Sequence, residues 1–339
     1  MPRLVAAPDK FRGTATAAEV AAAMGRAAAA AGWACVELPM ADGGEGLLDA
    51  LGGRRRRTRV SGPLGRPVVA EWRLIDELAG SRGPTAVLEM ARASGLTLAG
   101  GPEGNAPVDA DTKGTGDLVL AALAAGARRI VVGCGGSATT DGGLGAVRVI
   151  GSRARLGGAE LVVACDVTTL FEDAAAVFAS QKGASAAQSS LLTGRLRRLA
   201  QLYREEHGVD VSHLAGGGAA GGLAGGLAAL GGRLVSGFAL VAEAVGLAEE
   251  LASADLVVTG EGYLDDQSFD GKVVGGVSEL AAAAGAPVLC VVGDADGGTR
   301  VAGARVVRLV EAVGAERART DVVRSVEEVV SEHLAGLPG

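Results

Sequence analysis

Four glycine-containing segments bring together acidic, basic and hydroxyl side chains where a strand is expected to end and a helix to begin. They span residues 7–14, 39–46, 133–145 and 259–265. None of the three histidines lies in them, and the G-x-S-x-G, H-E-x-x-H and Walker A patterns are absent. Carboxylates, a few cations and small hydroxyls suit phosphoryl transfer, because that chemistry needs positioning, Mg²⁺ and charge neutralisation more than a strong nucleophile.

The first two segments carry the candidate catalytic residues. Lys10 and Arg12 follow the first expected strand and can clamp a phosphate or a carboxylate. In the second segment Asp42 is the leading candidate for a general base or a Mg²⁺ ligand. It opens a tight turn that contains the candidate binding residues Gly43, Gly44 and Glu45.

The third segment resembles an anion-binding nest. It follows the expected strand Ile130–Gly133 and offers consecutive backbone N–H groups together with hydroxyls and one acid. The residues expected to contact phosphate are Gly135, Gly136, Ser137, Thr139 and Asp141.

Further acids stand at other strand ends, and one lysine lies in the segment Gln181-Lys182-Gly183. Glu261 and Asp265 follow an expected strand that ends near residue 259, as in a metal or ribose site. Asp166 ends another, and Lys182 can bring a cation to a binding site. We take Glu261 and Lys182 as candidate binding residues, and Asp166 and Asp265 as candidate metal ligands.

The elements that must position these residues alternate between strand and helix. Short apolar runs such as Leu4–Ala7 and Leu256–Thr259 are followed by helical patterns such as Thr14–Ala31 and Lys272–Ala284. This alternation predicts an α/β protein with a largely parallel sheet. The expected strands within 57–89 break the alternation, which suggests a second domain inserted into the first.

Composition excludes several classes of protein. The chain has 339 residues, a net charge of −7 and 55 glycines, which show no collagen period. The net negative charge argues against nucleic acid as the main partner, because nucleic-acid phosphates attract basic surfaces. No stretch of the sequence is apolar enough for a membrane span. The four cysteines are widely spaced and the N-terminus lacks a signal-peptide pattern, so we expect a cytoplasmic protein with reduced thiols.

A second glycine population lies in the apolar tract 215–232. Residues 216, 218 and 221 match G-x-G-x-x-G, but residues 209–214 make a poor strand and the expected downstream acid is missing. We therefore predict a closely packed small-residue helix in preference to a dinucleotide site.

Taken in order, eight motifs of this chain resemble the bacterial glycerate kinase family that lacks a P-loop. They are APDKFRGT, PMADGGEG, DTKGTGDL, GCGGSATTDGG, ACDVTT, QKGA, GAAGGL and TGEGYLD. The resemblance implies transfer of the ATP γ-phosphoryl group to D-glycerate with Mg²⁺, commonly giving 2-phosphoglycerate. The acids that match the family pattern are Asp9, Asp42, Glu45, Asp141, Asp166, Glu261 and Asp265.

The resemblance also implies an architecture, with the active site in a cleft between two α/β domains. We expect a Rossmann-like domain formed by residues 1–60 and 238–339, with a mixed α/β domain inserted at 61–237, in a monomer or homodimer. The chain departs from the family pattern at Lys10, Arg12, Tyr263 and Asp266. Two alternatives stay open, an NAD(P)-dependent oxidoreductase and a non-catalytic protein that binds small acids.

Overall fold

The structure is a computed structural model, which describes residues 1–265, 268 and 272–337. Its strands are β1 (Arg3–Ala6), β2 (Ala34–Glu37), β3 (Arg54–Ser61), β4 (Pro67–Ile75), β5 (Thr85–Glu89), β6 (Arg129–Gly133), β7 (Glu160–Ala164), β8 (Arg233–Val235), β9 (Leu256–Leu264), β10 (Val288–Ala295) and β11 (Ala304–Arg308).

The α-helices alternate with these strands. They are α1 (Ala17–Ala30), α2 (Leu47–Leu51), α3 (Ala91–Ser94), α4 (Gly101–Gly104), α5 (Lys113–Ala124), α6 (Leu144–Ile150), α7 (Ala174–Phe178), α8 (Ala186–His207), α9 (Ala219–Ala229), α10 (Gly237–Ala244), α11 (Leu247–Leu251), α12 (Val273–Ala284), α13 (Leu309–Ala312), α14 (Arg317–Thr320) and α15 (Val322–Ala335).

The chain forms two compact units. The first contains Met1–Asp42, Asp49–Leu51 and the residues from Phe238 onward, and the second contains Gly43–Leu48 and Gly52–Gly237. The mixed α/β class predicted from the sequence is confirmed, since one sheet is parallel and the other is mixed. The expected boundary after residue 60 falls inside β3, which pairs with β4 and so belongs to the second unit's sheet.

The first unit has a parallel five-stranded sheet in the order β11-β10-β9-β1-β2. Counted along this unit alone, that order is the doubly wound 2-1-3-4-5 arrangement. The strand order reverses between β1 and β9, where the connections leave in opposite directions and open a crevice. The core on one face of the sheet holds Leu4, Val258 and Val291 together with apolar residues of α1 and α15.

The second unit has a six-stranded sheet in the sequential order β3-β4-β5-β6-β7-β8. The β3–β4 and β4–β5 pairs are antiparallel, whereas β5 to β8 run parallel. The antiparallel strands predicted within 57–89 are therefore confirmed. Strand β3 lies at the sheet edge with Arg54 to Arg57 exposed, and charged side chains of this kind protect an edge from further strand pairing.

The Ala/Gly tract forms α9, which is interrupted by left-handed backbone at 220–222, and its close packing was predicted. Four of its glycines lie against residues 139–143 and Phe171, where an added Cβ would come within 1.9–2.8 Å of a neighbouring atom, namely Gly221, Gly222, Gly225 and Gly226. No strand precedes it at 209–214, as expected. The sequence pattern of a dinucleotide site is thus present without the structural context that such a site requires.

Replacing Gly221 with alanine is expected to destabilise the protein by about 2 kcal/mol or more, because an added Cβ would lie 1.9 Å from the carbonyl oxygen of Thr139 at a φ of +67°. Gly194 provides the matched control, since it is exposed in α8 with nothing within 4 Å of a Cβ. Gly194→Ala is expected to be neutral or stabilising by up to about 1 kcal/mol. Urea unfolding of both variants checks this, and equal midpoints would contradict it.

Candidate functional site

A cavity of about 490 Å³ lies in the first unit where β1 and β9 end. Open α/β sheets bind ligands at this reversal of strand order, so the cavity has the expected position. Six predicted site residues line it, namely Asp9, Lys10, Arg12, Asp42, Glu261 and Asp265, together with Lys272.

The loop between β1 and α1 is held by backbone hydrogen bonds. The Asp9 N–H donates to the carbonyl of Gly260 at 2.9 Å, and Phe11 and Ala15 pair across a tight turn. Thr16 and Glu19 form a capping box that fixes the start of α1. Lys10 and Arg12 therefore project from a braced loop.

Glycines in β9 and β10 let the backbone approach closely beside this loop. A Cβ at Gly260 would lie 1.9 Å from the carbonyl oxygen of Val291, and one at Gly293 would lie 2.3 Å from that of Gly262. A Cβ at Gly262 would lie 3.2 Å from the Arg12 nitrogen. These glycines allow β9, β10 and the loop after β1 to pack closely, because a side chain at any of them would push the strands or the loop apart.

Lys10 lies between two carboxylates. Its Nζ is 3.4 Å from Asp42 Oδ1 and 3.6 Å from Asp9 Oδ1. Burial raises the pKa of Asp9 to about 6, although Lys10 opposes this, and the Asp42 carboxylate raises it further. Burial alone would lower the pKa of Lys10, yet the two carboxylates raise it, so the ammonium stays charged.

Glu261 and Asp265 add two acids. Strand β9 continues to Leu264, beyond the expected end near residue 259, so Glu261 lies within the strand and Asp265 directly follows it. Burial raises the pKa of Glu261 to about 7, and the carboxylates of Asp9 and Asp265 act in the same direction. Glu261 Oε1 is buried without a hydrogen-bond partner within the described structure. The hydroxyl and backbone N–H of Ser268 both donate to Asp265 Oδ1.

This donor set fits Mg²⁺, which prefers oxygen ligands and is often held by one or two carboxylates plus substrate phosphates. Within residues 1–265, 268 and 272–337, no three His, Cys, Asp or Glu side chains are arranged to hold a metal ion by themselves. The unpartnered Glu261 Oε1 and the adjacent Asp265 are the groups in this cavity that would take it.

Replacing Asp9 with asparagine is expected to raise the free energy of unfolding at pH 7.5 by about 1–3 kcal/mol. Because the folded-state pKa of Asp9 is raised to about 6, ionising this carboxyl costs stability as pH rises from about 4 to about 6. Asparagine removes that cost while its Oδ1 can still accept from the Lys10 backbone N–H.

Urea unfolding at pH 7.5 and at pH 4 tests this expectation, since the advantage of the variant should shrink towards the lower pH. Glu279→Gln is the control, because Glu279 is exposed on α12 and its replacement removes the same charge. A destabilised Asp9→Asn protein at pH 7.5 would contradict the argument.

Two further charged residues line the cavity that sequence reasoning missed. Asp294 follows Gly293 near the end of β10, so the rule that ligands bind at strand ends could have found it. Arg319 lies in α14, far along the chain from every motif, and no sequence pattern marks it. Tyr263 also lines the cavity and donates to Asp296 at 2.6 Å. Asp266 lies outside the described residues.

The other predicted site residues lie in the second unit. Gly43 and Gly44 pack backbone against backbone on the loop that follows β6. A Cβ at Gly133 would lie 2.6 Å from the Gly43 carbonyl oxygen, and one at Gly135 would lie 2.6 Å from the Gly44 Cα. Close packing of the two loops thus requires glycine at these positions.

The segment that starts at Gly135 presents free backbone donors. Within the described residues no hydrogen bond is formed by the N–H groups of Gly135, Gly136 and Ser137, whereas the Gly136 carbonyl accepts from Leu96 N. Gly136 has a φ of +66°, which glycine adopts without strain. Glu45 reaches this loop, since its Oε1 would lie 3.0 Å from a Cβ at Gly136.

Asp141 is half-buried and hydrogen-bonded within its own unit. Its carboxylate accepts from the backbone N–H groups of Thr112, Gly143 and Gly145 and from the Thr112 hydroxyl, at 2.8–3.1 Å. Burial raises its pKa, and these hydrogen bonds oppose the rise. These contacts show that Asp141 ties the loop to the start of α6.

Lys182 is 4% exposed, and its Nζ donates to the carbonyl of Thr139 at 2.7 Å. Burial lowers the pKa of this lysine to about 7, and Asp141 opposes the shift. The hydroxyls of Thr139 and Thr140 are buried without partners in the described structure. Through this hydrogen bond to Thr139, Lys182 stabilises the loop that we predict to bind an anion.

Two acids of the second unit, Asp166 and Glu89, accept backbone hydrogen bonds that hold its loops in place. Asp166 accepts from the Gly237 N–H at 2.8 Å, which joins the ends of β7 and β8. Glu89, which sequence reasoning missed, is 1% exposed and accepts from the N–H groups of Gly46 and Leu48. Glu89 thereby fixes the turn that follows Asp42, and its position at the end of β5 is the signal that could have identified it.

Among the described residues, no helix combines the length and the apolar character needed to cross a bilayer.

Comparison with known proteins places the chain among kinases. The model of the glycerate kinase family matches residues 4–155 and 151–335. The glycerate 2-kinase of Escherichia coli K12 is 37% identical over 329 residues, covering 86% of this chain and 85% of that protein. The glycerate kinase of Bacillus subtilis 168 has the same identity and coverage.

A solved structure agrees with these relatives. The crystal structure of a Salmonella typhimurium LT2 protein assigned as glycerate kinase 2 superposes with a TM-score of 0.79 at 34% identity, covering 99% of both chains. With a family model that spans almost the whole chain and a fold shared from end to end, this protein belongs to the glycerate kinase family.

Proposed function

We propose that the protein phosphorylates D-glycerate with ATP as the donor and Mg²⁺ as the cofactor, giving 2-phosphoglycerate. The observation that carries the proposal is the cavity in which Lys10 lies between Asp9 and Asp42. Because the chain belongs to the glycerate kinase family, we infer that these charged groups bind a hydroxy-acid acceptor.

Each charged group of the cavity has a part in this proposal. Asp42 orients the attacking hydroxyl of glycerate and accepts its proton. Lys10 and Arg12 hold the carboxylate of glycerate or the transferred phosphoryl group by charge-assisted hydrogen bonds. Braced loops keep these donors in place before the reaction, which is the condition for electrostatic stabilisation of a transition state.

Glu261 and Asp265 would hold Mg²⁺, together with oxygens of the substrate. When bound, the cation neutralises charge on the phosphoryl oxygens. For the second unit we propose that the free N–H groups of residues 135–137 bind an anion, with Lys182 and Asp141 keeping that loop in shape. The metal role that we predict for Asp166 remains a further proposal.

An assay of the full chain with D-glycerate, ATP and Mg²⁺ tests the activity, with ADP release as the readout. Phosphorus NMR of the product identifies the phosphorylated hydroxyl. Turnover with another nucleoside triphosphate but not with ATP would correct the donor, and 3-phosphoglycerate would correct the product. Calorimetry that shows glycerate binding without turnover would favour the non-catalytic alternative.

A further inference from the structure

Cys134 and Cys165 lie side by side at the carboxyl ends of β6 and β7. The register pairs Gly133 with Ala164, and the Cys134 N–H donates to the Ala164 carbonyl at 3.0 Å. That hydrogen bond continues the parallel ladder by one residue, so Cys134 is opposite Cys165.

Both thiols project from the same face of the sheet. Residues 130 and 132 of β6 and residues 161 and 163 of β7 belong to one hydrophobic cluster, which also contains Cys165 and packs against Cys134. Side chains two residues apart on a strand share a face, so the two sulfur atoms lie in the same layer.

The spacing of the two strands permits a disulfide. Neighbouring strands are about 4.8 Å apart. Cysteines joined by a disulfide have Cα atoms about 4.4–6.8 Å apart and Cβ atoms about 3.5–4.5 Å apart. The Cα positions therefore already fit, while the Cβ atoms must be drawn slightly together.

We propose that Cys134 and Cys165 form a modification site that a low-molecular-weight disulfide oxidises to an intramolecular disulfide. Cys134 is only partly buried and is the point of entry, whereas Cys165 is 9% exposed, with Gly216 packed against its sulfur. Cys134 sulfur attacks the reagent and releases one thiol. Cys165 sulfur then attacks the Cys134 sulfur and releases the second thiol, so two cysteine thiols are oxidised and one disulfide is reduced to two thiols.

The other two cysteines serve as internal controls. Cys35 pairs in register with Leu4 on β1, and Cys290 pairs with Thr259 and Val306 on the neighbouring strands. In the parallel sheet of the first unit β2 and β10 are separated by β1 and β9, so Cys35 and Cys290 are not neighbours.

Oxidation of this pair is expected to lower the kinase activity, a consequence that rests on the proposed function. Cys134 directly precedes the loop of free N–H groups at residues 135–137, and Cys165 directly precedes Asp166. Drawing the two strand ends together moves both segments. A misplacement of this size is expected to reduce kcat/KM by about tenfold or more.

The experiment incubates the full reduced chain with excess oxidised glutathione for hours, because burial raises the pKa of both thiols and slows the exchange. Free thiols are expected to fall from the four of the sequence to two, with the 134–165 crosslink found by peptide mass mapping. Dithiothreitol should restore both the thiols and the activity.

Two variants sharpen the test. Cys165→Ala should retain a glutathione adduct on Cys134 and form no crosslink, whereas Cys290→Ala should form the crosslink as the natural protein does. Four unchanged thiols, adducts without a crosslink, or a crosslink to Cys35 or Cys290 would overturn the proposed site.

The chemical readout does not depend on the kinase reaction. If the chain fails to phosphorylate glycerate, the thiol count and the peptide map still decide whether the pair forms a disulfide. A crosslinked protein with unchanged glycerate kinase activity would overturn the expected consequence alone.

Discussion

Asp42→Asn is expected to lower kcat by about 10²- to 10⁴-fold, with little change in the KM for glycerate. Asparagine matches the shape of aspartate but cannot accept a proton from the attacking hydroxyl. Asp42 lines the cavity with its Oδ1 3.4 Å from Lys10 Nζ, so its carboxylate faces the same space as the cation that would hold the substrate.

Steady-state kinetics of purified Asp42→Asn at saturating ATP measure the effect. Glu279→Gln is the matched control, since it removes one negative charge from an exposed position of the same unit and should retain the natural kcat. A thermal melt shows whether the variant is folded. An Asp42→Asn enzyme within threefold of the natural kcat would refute the assigned role.

Lys10→Met should reduce kcat/KM by about 10²- to 10³-fold, the range seen when a preorganised donor is removed from a transition state. Methionine keeps much of the side-chain volume but leaves Asp9 and Asp42 without the ammonium that lies 3.4–3.6 Å from them. Two carboxylates then repel an anionic substrate. Without Lys10 to oppose burial, the pKa of Asp9 should rise above its value of about 6.

Lys10→Arg separates charge from geometry. It should recover part of the activity, because the positive charge returns while a planar fork replaces a point charge. Lys113→Met is the control, since Lys113 is exposed at the start of α5 in the second unit. Equal activity of Lys10→Met and Lys113→Met would exclude a role for Lys10 in the reaction.

Much of the fold follows from local sequence pattern. The predicted helix Lys272–Ala284 is α12 (Val273–Ala284), and the predicted strand Ile130–Gly133 lies within β6. Alternating apolar periodicities indicate such elements because each element must bury one face. A local backbone feature can also end a helix: α10 and α11 are separate helices, divided where Gly246 adopts a φ of +67°.

Residues of the candidate site could be predicted from the sequence where they follow a strand and belong to a motif. Asp9, Lys10 and Glu261 line one cavity as their positions at strand ends suggested. Arg319 could not be found in this way, because it reaches the cavity from a short helix with no motif. Contacts between segments distant along the chain depend on packing, which local pattern does not encode.

Residue types and their order along the chain determined the α/β class, the set of charged loops and the resemblance to a kinase family, since these depend on local periodicity and motif. Tertiary structure alone decided which of the glycines and acids serve packing. The half-buried Asp141 accepts four hydrogen bonds that hold its loop in place, and Gly221 makes room for the Thr139 carbonyl. The reason is physical: hydrogen-bond partners and close approach exist only once distant segments are folded against each other.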